Sequence, residues 1–142
     1  MLEPKYSIDE KSYVSLAEKI RQRSSSHQHQ QQQCDRFFSV EFFPARTAQG
    51  ATNWLRLVEK YADGNPLYCD ITWHIAGQPG SDSPTSSLTM ANVALNYCQL
   101  ETMLHITCIG LTREQLQQHL ERAKHYGIRN ILALRGDRHG KC

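Results

Sequence analysis

The alternation of short apolar runs with helical patterns is the sequence feature that most limits what this chain can fold into. Runs rich in β-branched and aromatic residues predict strands at residues 37–43, 67–73, 103–108 and 130–134. Amphipathic helices are predicted between them, so the order is β-α-β-α-β-α-β, with strands starting roughly thirty residues apart. Such alternation favours parallel strands joined by right-handed crossovers, which build both doubly wound sheets and barrels.

Capping residues set the predicted limits of the three helices between the strands. A hydroxyl residue at the N-cap satisfies a free backbone N–H group, and glycine commonly follows the last turn. The predicted signals are, in chain order, Thr47 and Gly64, Ser83 followed by Pro84, Thr112 with Gln115, and Gly127. The predicted inward residues of these helices include Trp54, Val58, Leu88, Ala91, Leu95, Leu116, Leu120 and Ala123.

The first 35 residues differ in composition from the rest and are predicted to be an N-terminal helix with a linker. Ser7 with Glu10 forms a capping box before an apolar stripe, which predicts a helix outside the main domain. Residues 24–33 read SSSHQHQQQQ, a low-complexity segment that predicts a flexible linker. The main domain is expected to span residues 36–137, with a separate tail at 138–142.

Composition excludes several classes of function. The formal net charge is +2 with the charges mixed along the chain, so no basic stripe indicates a nucleic-acid partner. No stretch approaches the roughly 18 apolar residues of a membrane span, and no signal peptide is evident. The five cysteines are widely spaced without a C-x-x-C pair, which argues against a disulfide framework and a metal site. The expectation is a soluble cytoplasmic protein.

Polar residues collect where the predicted strands end. In parallel α/β folds the functional site lies at the carboxyl ends of the strands. The residues at these positions are Glu41, Thr72, His74, His105, Thr107, Arg135 and Asp137. No G-x-G-x-x-G motif follows the first strand, so a dinucleotide site of the Rossmann type has no support.

Glu41 and His105 are the most informative of these residues. Glu41 lies inside an apolar strand, and burying a carboxyl without a partner favours its protonated form, which a general acid needs. The alternatives are an ion pair with Arg46 or a side chain turned to solvent. His105 alternates with Leu104 and Ile106 and so points to the opposite face, as a satisfied core histidine or a ligand contact.

Four motifs, in order, resemble the signatures of the methylenetetrahydrofolate reductase family. They are FSVEFFP at 38–44 with Arg46-Thr47, DITWH at 70–74, LHITC at 104–108 and NILALRGD at 130–137. The resemblance covers about residues 36 to 137, and its details are similar to the eukaryotic branch. Ala45 stands where a second proline is common in the family.

The resemblance implies the N-terminal half of a TIM (β/α)8 barrel, since a closed barrel needs about 250 residues. It implies bound FAD, which NAD(P)H reduces before the folate substrate binds. Hydride then passes to 5,10-methylenetetrahydrofolate and gives 5-methyltetrahydrofolate, a step of one-carbon and methionine metabolism.

The resemblance also implies roles for individual residues. Glu41 matches the general acid, and Asp137 matches a contact to both flavin and folate. The implied FAD contacts are Thr72, Trp73, His105, Arg135, Gly136 and Asp137. The implied NAD(P)H contacts are Glu41, Phe42, Phe43, Pro44, Ala45 and Arg46.

The tail at 138–142 does not resemble the family's continuation, so the expectation is a truncated catalytic segment. Four strands of eight leave two open sheet edges, which predicts little or no reductase activity from this chain alone. The alternatives are a non-catalytic isoform that binds a full-length partner, a homodimer of half-barrels, or a product that fails to fold. The motif set disfavours an unrelated ligand-binding half-barrel.

Overall fold

A computed structural model describes residues 13–25, 36–74 and 78–136. The elements within these ranges are, in chain order, α1 (Leu16–Ser25), β1 (Ser39–Phe42), α2 (Ala48–Asp63), β2 (Tyr68–Ile71), α3 (Ser87–Asn96), β3 (Thr102–Thr107), α4 (Arg113–His125) and β4 (Asn130–Leu134). The predicted alternation of strands and helices is therefore confirmed.

The strands form one parallel sheet in the order β1-β2-β3-β4, with Phe42, Ile71 and Leu104 side by side in the register. Spatial order follows chain order, so right-handed crossovers place α2, α3 and α4 on the same face. A doubly wound sheet reverses its strand order at a switch point, whereas a (β/α)8 barrel does not. The α/β fold is thus consistent with part of a TIM-like barrel.

The core lies between α2, α3, α4 and the sheet face that carries Phe42, Ile71 and Leu104. Ile71 and Leu104 are fully buried, and Phe42 packs its ring against Trp54 of α2 at 5.8 Å between ring centroids. Val58 of α2 is also fully buried. Burial of apolar area at about 25 cal/mol per Å² makes this face the main source of stability.

The predicted caps of α2 and α4 are confirmed, while the start of α3 is not. Thr47 Oγ1 accepts a hydrogen bond from the Gly50 N–H at 3.0 Å, and Thr112 forms the predicted capping box with Gln115. The N-cap of α3 is Ser86, not Ser83. The prediction of a start at Ser83–Pro84 is wrong because Ser83 forms a turn, accepting the Ser86 N–H on its carbonyl oxygen at 3.0 Å.

Leu120 departs from the predicted apolar stripe of α4. It is 40% exposed, whereas Ala123 on the same helix is buried. Leu116 is partly buried against the core. In the ranges that the structure describes, no further helix packs beyond α4, so the Leu120 side of this helix stays accessible to solvent.

The N-terminal helix packs on the main domain, which corrects the prediction that it lies outside. Leu16 is 5% exposed, and the Tyr13 hydroxyl donates to Glu101 Oε1 at 3.3 Å. Lys19 Nζ lies 2.5 Å from Glu101 Oε2, next to the amino end of β3. The predicted start at Ser7 lies outside the described residues. The helix runs through Ser25, so residues 24 and 25 of the predicted linker are helical, and its other residues, 26–33, lie outside the described residues.

Candidate functional site

Glu41 lies on the sheet face opposite the core, here called the open face and defined by Glu41, Asp70, His105 and Leu132. Its neighbour in β1, Phe42, points to the core, as alternation along a strand requires. None of α2, α3 and α4 covers the open face, and Leu132 on it is 42% exposed. Exposure on this face therefore follows the position of the strand: Glu41 and Leu132 in the two edge strands are exposed, whereas Asp70 and His105 in the two inner strands are largely buried.

The side chain of Glu41 is not buried in this structure. Its side chain is 53% exposed, which matches the solvent-facing alternative. Thr72 Oγ1 donates to Glu41 Oε1 at 3.1 Å, and His105 Nδ1 lies 4.0 Å from the same oxygen. The physical reason is that Glu41 points away from the core and lies in β1, an edge strand of the sheet, so it has a neighbouring strand on one side only.

His105 is held by a second carboxylate that the sequence analysis did not name as a site residue. His105 Nε2 lies 3.1 Å from Asp70 Oδ1, and their side chains are 9% and 13% exposed. Burial raises the pKa of Asp70, the hydrogen bond and charge of His105 oppose this, and the charge of Glu41 adds to the rise. The sequence does indicate the position of Asp70, because it alternates with the apolar residues Cys69 and Ile71. In the structure these two are buried, and Asp70 lies on the face of Glu41.

A side-chain hydrogen bond joins the end of β3 to the residue that follows β4. The Thr107 hydroxyl donates to the Arg135 carbonyl at 2.6 Å. Gly136 has φ +77°, and a Cβ atom there would lie 3.1 Å from Thr107 Oγ1, so glycine suits this position. Arg135 and Gly136 are exposed at the carboxyl end of the sheet. Asp137, which is predicted to contact the flavin and the folate, lies outside the described residues.

Trp73 is not brought together with Glu41, Thr72 and His105. It is 8% exposed and belongs to the core, where its ring lies 5.5 Å from the ring of His119 on α4. Burial and then the charge of Arg122 lower the pKa of His119, which favours a neutral ring beside the indole. Arg122 also donates to the Gly80 carbonyl at 2.6 Å and so ties the loop after β2 to α4.

Gly80→Ala is expected to lower the free energy of unfolding by about 1–3 kcal/mol, because a Cβ atom at this buried glycine would overlap the His119 ring. The ring would have to leave Trp73. His119→Ala removes the obstacle, so we expect the double variant to lose less stability than the two single variants added together. Urea unfolding of all four proteins measures this coupling, and strictly additive losses would contradict the proposed contact.

The stretch predicted to bind NAD(P)H divides between the core and the surface. Phe42 is 6% exposed and packs in the core, whereas Phe43 is 65% exposed and its ring lies 6.3 Å from that of His74. The next three residues line a surface groove of about 390 Å³. Its lining comprises Pro44, Ala45, Arg46, His74, Gln78, Ser83 and Thr85.

The fold and the cluster together define a class: parallel α/β proteins whose polar groups gather at the carboxyl ends of the strands, where such folds carry out catalysis. Residues 25–141 match the family model described as methylenetetrahydrofolate reductase, and the chain belongs to this family. The match extends beyond the predicted domain of residues 36–137 at both ends. No helix in the ranges described is long and apolar enough to cross a membrane.

Individual relatives carry the same family name. The chain is 41% identical over 137 residues to a probable methylenetetrahydrofolate reductase (NADPH) of Caenorhabditis elegans, covering 96% of this chain and 20% of that protein. It is 39% identical over 102 residues to methylenetetrahydrofolate reductase (NADH) 1 of Zea mays, covering 70% and 16%. For methylenetetrahydrofolate reductase 1 of Schizosaccharomyces pombe the identity is 36% over 103 residues, covering 70% and 16%. The chain thus spans about a fifth or less of these relatives' length.

Proposed function

We propose that this chain is a catalytic segment of a reductase that converts 5,10-methylenetetrahydrofolate to 5-methyltetrahydrofolate, with FAD as cofactor and NAD(P)H as co-substrate. The observation that carries the proposal is the convergence of Glu41, Thr72 and His105 on the open face of a chain that belongs to this family. The names of the relatives include both NADH and NADPH, so either nucleotide fits the proposal. The proposal also includes a cytoplasmic location for the protein.

The residues present fit a flavin in part. When bound, FAD would supply hydride transfer between the nucleotide and the folate. Thr72 offers a hydroxyl group beside Glu41, and Gly136 holds the exposed backbone turn after β4 at a positive φ. Arg135 beside it offers a cation to an anionic ligand. Trp73 would take part only indirectly, because its ring is in the core.

Glu41 is proposed to be the general acid that protonates the folate. A general acid must hold its proton near the working pH, and a low-polarity environment helps a carboxyl to do so. With a side chain 53% exposed, Glu41 has no such environment in the chain alone. The covering would come from bound ligands together with further protein on the open face.

The chain by itself is therefore proposed to have little or no reductase activity. A chain of this kind would act within a longer protein, or as a non-catalytic product that binds a full-length partner. The exposed Glu41 and Leu132 on the open face favour this view, because an accessible site admits water and leaves apolar surface uncovered.

We expect the purified chain, incubated with excess FAD and desalted, to retain less than stoichiometric flavin and to oxidise neither NADH nor NADPH above the rate without protein. The visible flavin absorbance and the loss of nicotinamide absorbance with added folate measure the two results. A full-length family member serves as the positive control. Turnover near that of the control would overturn the proposed inactivity, and light scattering would then show whether a homodimer completes the site.

A further inference from the structure

Asp70 is a second carboxylate on the open face, and none of the roles assigned above uses it. It lies in β2 directly beside Glu41 of β1 in the strand register. Its side chain is 13% exposed, against 53% for Glu41. Burying a carboxylate costs free energy unless it is paired and hydrogen-bonded, and its partner here is His105. A buried pair of this kind costs free energy to form, so we examined how it affects the neighbouring residues.

The Asp70 contact determines which nitrogen of His105 carries the proton. A neutral imidazole has one N–H group, and a carboxylate only accepts hydrogen bonds. With Asp70 Oδ1 at 3.1 Å from Nε2, the proton of neutral His105 belongs on Nε2. The lone pair is then on Nδ1, the nitrogen 4.0 Å from Glu41 Oε1. Among the described residues, the charged groups facing His105 are Asp70 from β2 and Glu41 from β1, while Leu132 of β4 is apolar.

We propose that Asp70 is a positioning residue for Glu41, acting through His105, in the reaction proposed above. Asp70 keeps Nε2 protonated, so that Nδ1 is a hydrogen-bond acceptor that a modest rotation of the exposed Glu41 side chain can reach. There Nδ1 can accept a hydrogen bond from the acid form of Glu41 and so orient its O–H group. A general acid needs its proton, and the Thr72 hydroxyl on the same carboxyl oxygen limits the directions the group can take.

The same pair can return a proton to Glu41 after each turnover. Once Glu41 has given its proton to the folate, His105 takes one from solvent on Nδ1 and becomes an imidazolium, which the Asp70 carboxylate stabilises. The Nδ1–H bond then breaks as the O–H bond of Glu41 forms, and His105 is neutral again. Solvent supplies the one proton consumed. A histidine that only fills the core would need none of this asymmetry between its two nitrogens.

The test is the tautomer of His105, measured by long-range ¹H–¹⁵N NMR on the whole chain labelled at histidine. The His105→Gln variant assigns the signal among the seven histidines. We expect the Nε2–H tautomer in the unaltered chain at a pH where the ring is neutral. In Asp70→Asn the amide can donate as well as accept, so the Nδ1–H form should become substantial. Asp70→Glu, which keeps the carboxylate, should preserve the Nε2–H form.

Thr72→Ala is the matched control, since it removes the Glu41 contact and leaves the Asp70–His105 pair in place; its His105 should keep the Nε2–H form. An Nδ1–H tautomer in the unaltered chain, or the same tautomer in Asp70→Asn, overturns the proposal. If Asp70→Asn does not fold, the unaltered chain and Asp70→Glu still decide it. The measurement needs neither flavin nor turnover, so absence of reductase activity and an incorrect tautomer are separate results.

Discussion

Glu41→Gln is expected to lower reductase turnover by about 100-fold to 10,000-fold, the usual contribution of a positioned general acid. The measurement uses a chimaera in which this chain replaces the homologous segment of the Caenorhabditis elegans relative, with which it aligns over 137 residues. Glutamine keeps the size of the side chain and an oxygen for the Thr72 hydroxyl, but it has no proton to give to the folate. The loss should therefore fall on kcat more than on KM.

Glu59→Gln is the control for this experiment. Glu59 is an exposed residue of α2, which packs on the core side of the sheet, and the same chemical change there should leave turnover within about twofold, as surface substitutions usually do. Reduction of the flavin by NAD(P)H needs no proton from Glu41 to the folate, so that half-reaction should be affected less. A chimaera that turns over folate equally well with glutamine at position 41 would refute the assigned role.

The parts of the fold that depend on local bonds could be predicted from the sequence. Thr47 and Thr112 cap their helices through contacts within one turn, and both were predicted. The sequence predicts the start of α3 at Ser83 because a proline follows it. Tertiary structure instead sets the start of α3 at Ser86. The Leu88 N–H donates to the Pro79 carbonyl at 3.0 Å, so the loop after β2 extends past Ser83 before the helix begins.

In the candidate site, the direction of each side chain could be predicted from the sequence, but its exposure and its distant contacts could not. Alternation along β3 predicts that His105 points away from Leu104, and in the structure His105 contacts Asp70 while Leu104 belongs to the core. The exposure of Glu41 could not be predicted, because alternation gives the direction of a side chain and says nothing about what covers it. The contact between Gly80 and His119 joins residues distant in the chain, and no local pattern indicates it. Alternation in β2 also predicts that Asp70, between Cys69 and Ile71, lies on the face opposite to them.

Leu104→Ala is expected to lower the free energy of unfolding by about 3 kcal/mol. Leu104 is fully buried in the central strand β3, and truncating such a side chain removes its burial energy and leaves a cavity, a cost of about 2–5 kcal/mol. Domains of this size have a total stability of about 5–15 kcal/mol, so a large part of it would be lost. Urea unfolding followed by tryptophan fluorescence measures the change, and an unchanged m-value would show that the unfolded reference is the same.

The matched variant Leu132→Ala makes the same deletion on the adjacent strand, on the open face. Leu132 is 42% exposed, so its truncation should cost less than about 1 kcal/mol. Comparing the two leucines tests which face of the sheet holds the core. If Leu132→Ala costs as much as Leu104→Ala, and the cost grows with protein concentration, then the open face is covered by another copy in solution. A homodimer would then have the enclosed surroundings that Glu41 lacks in the single chain.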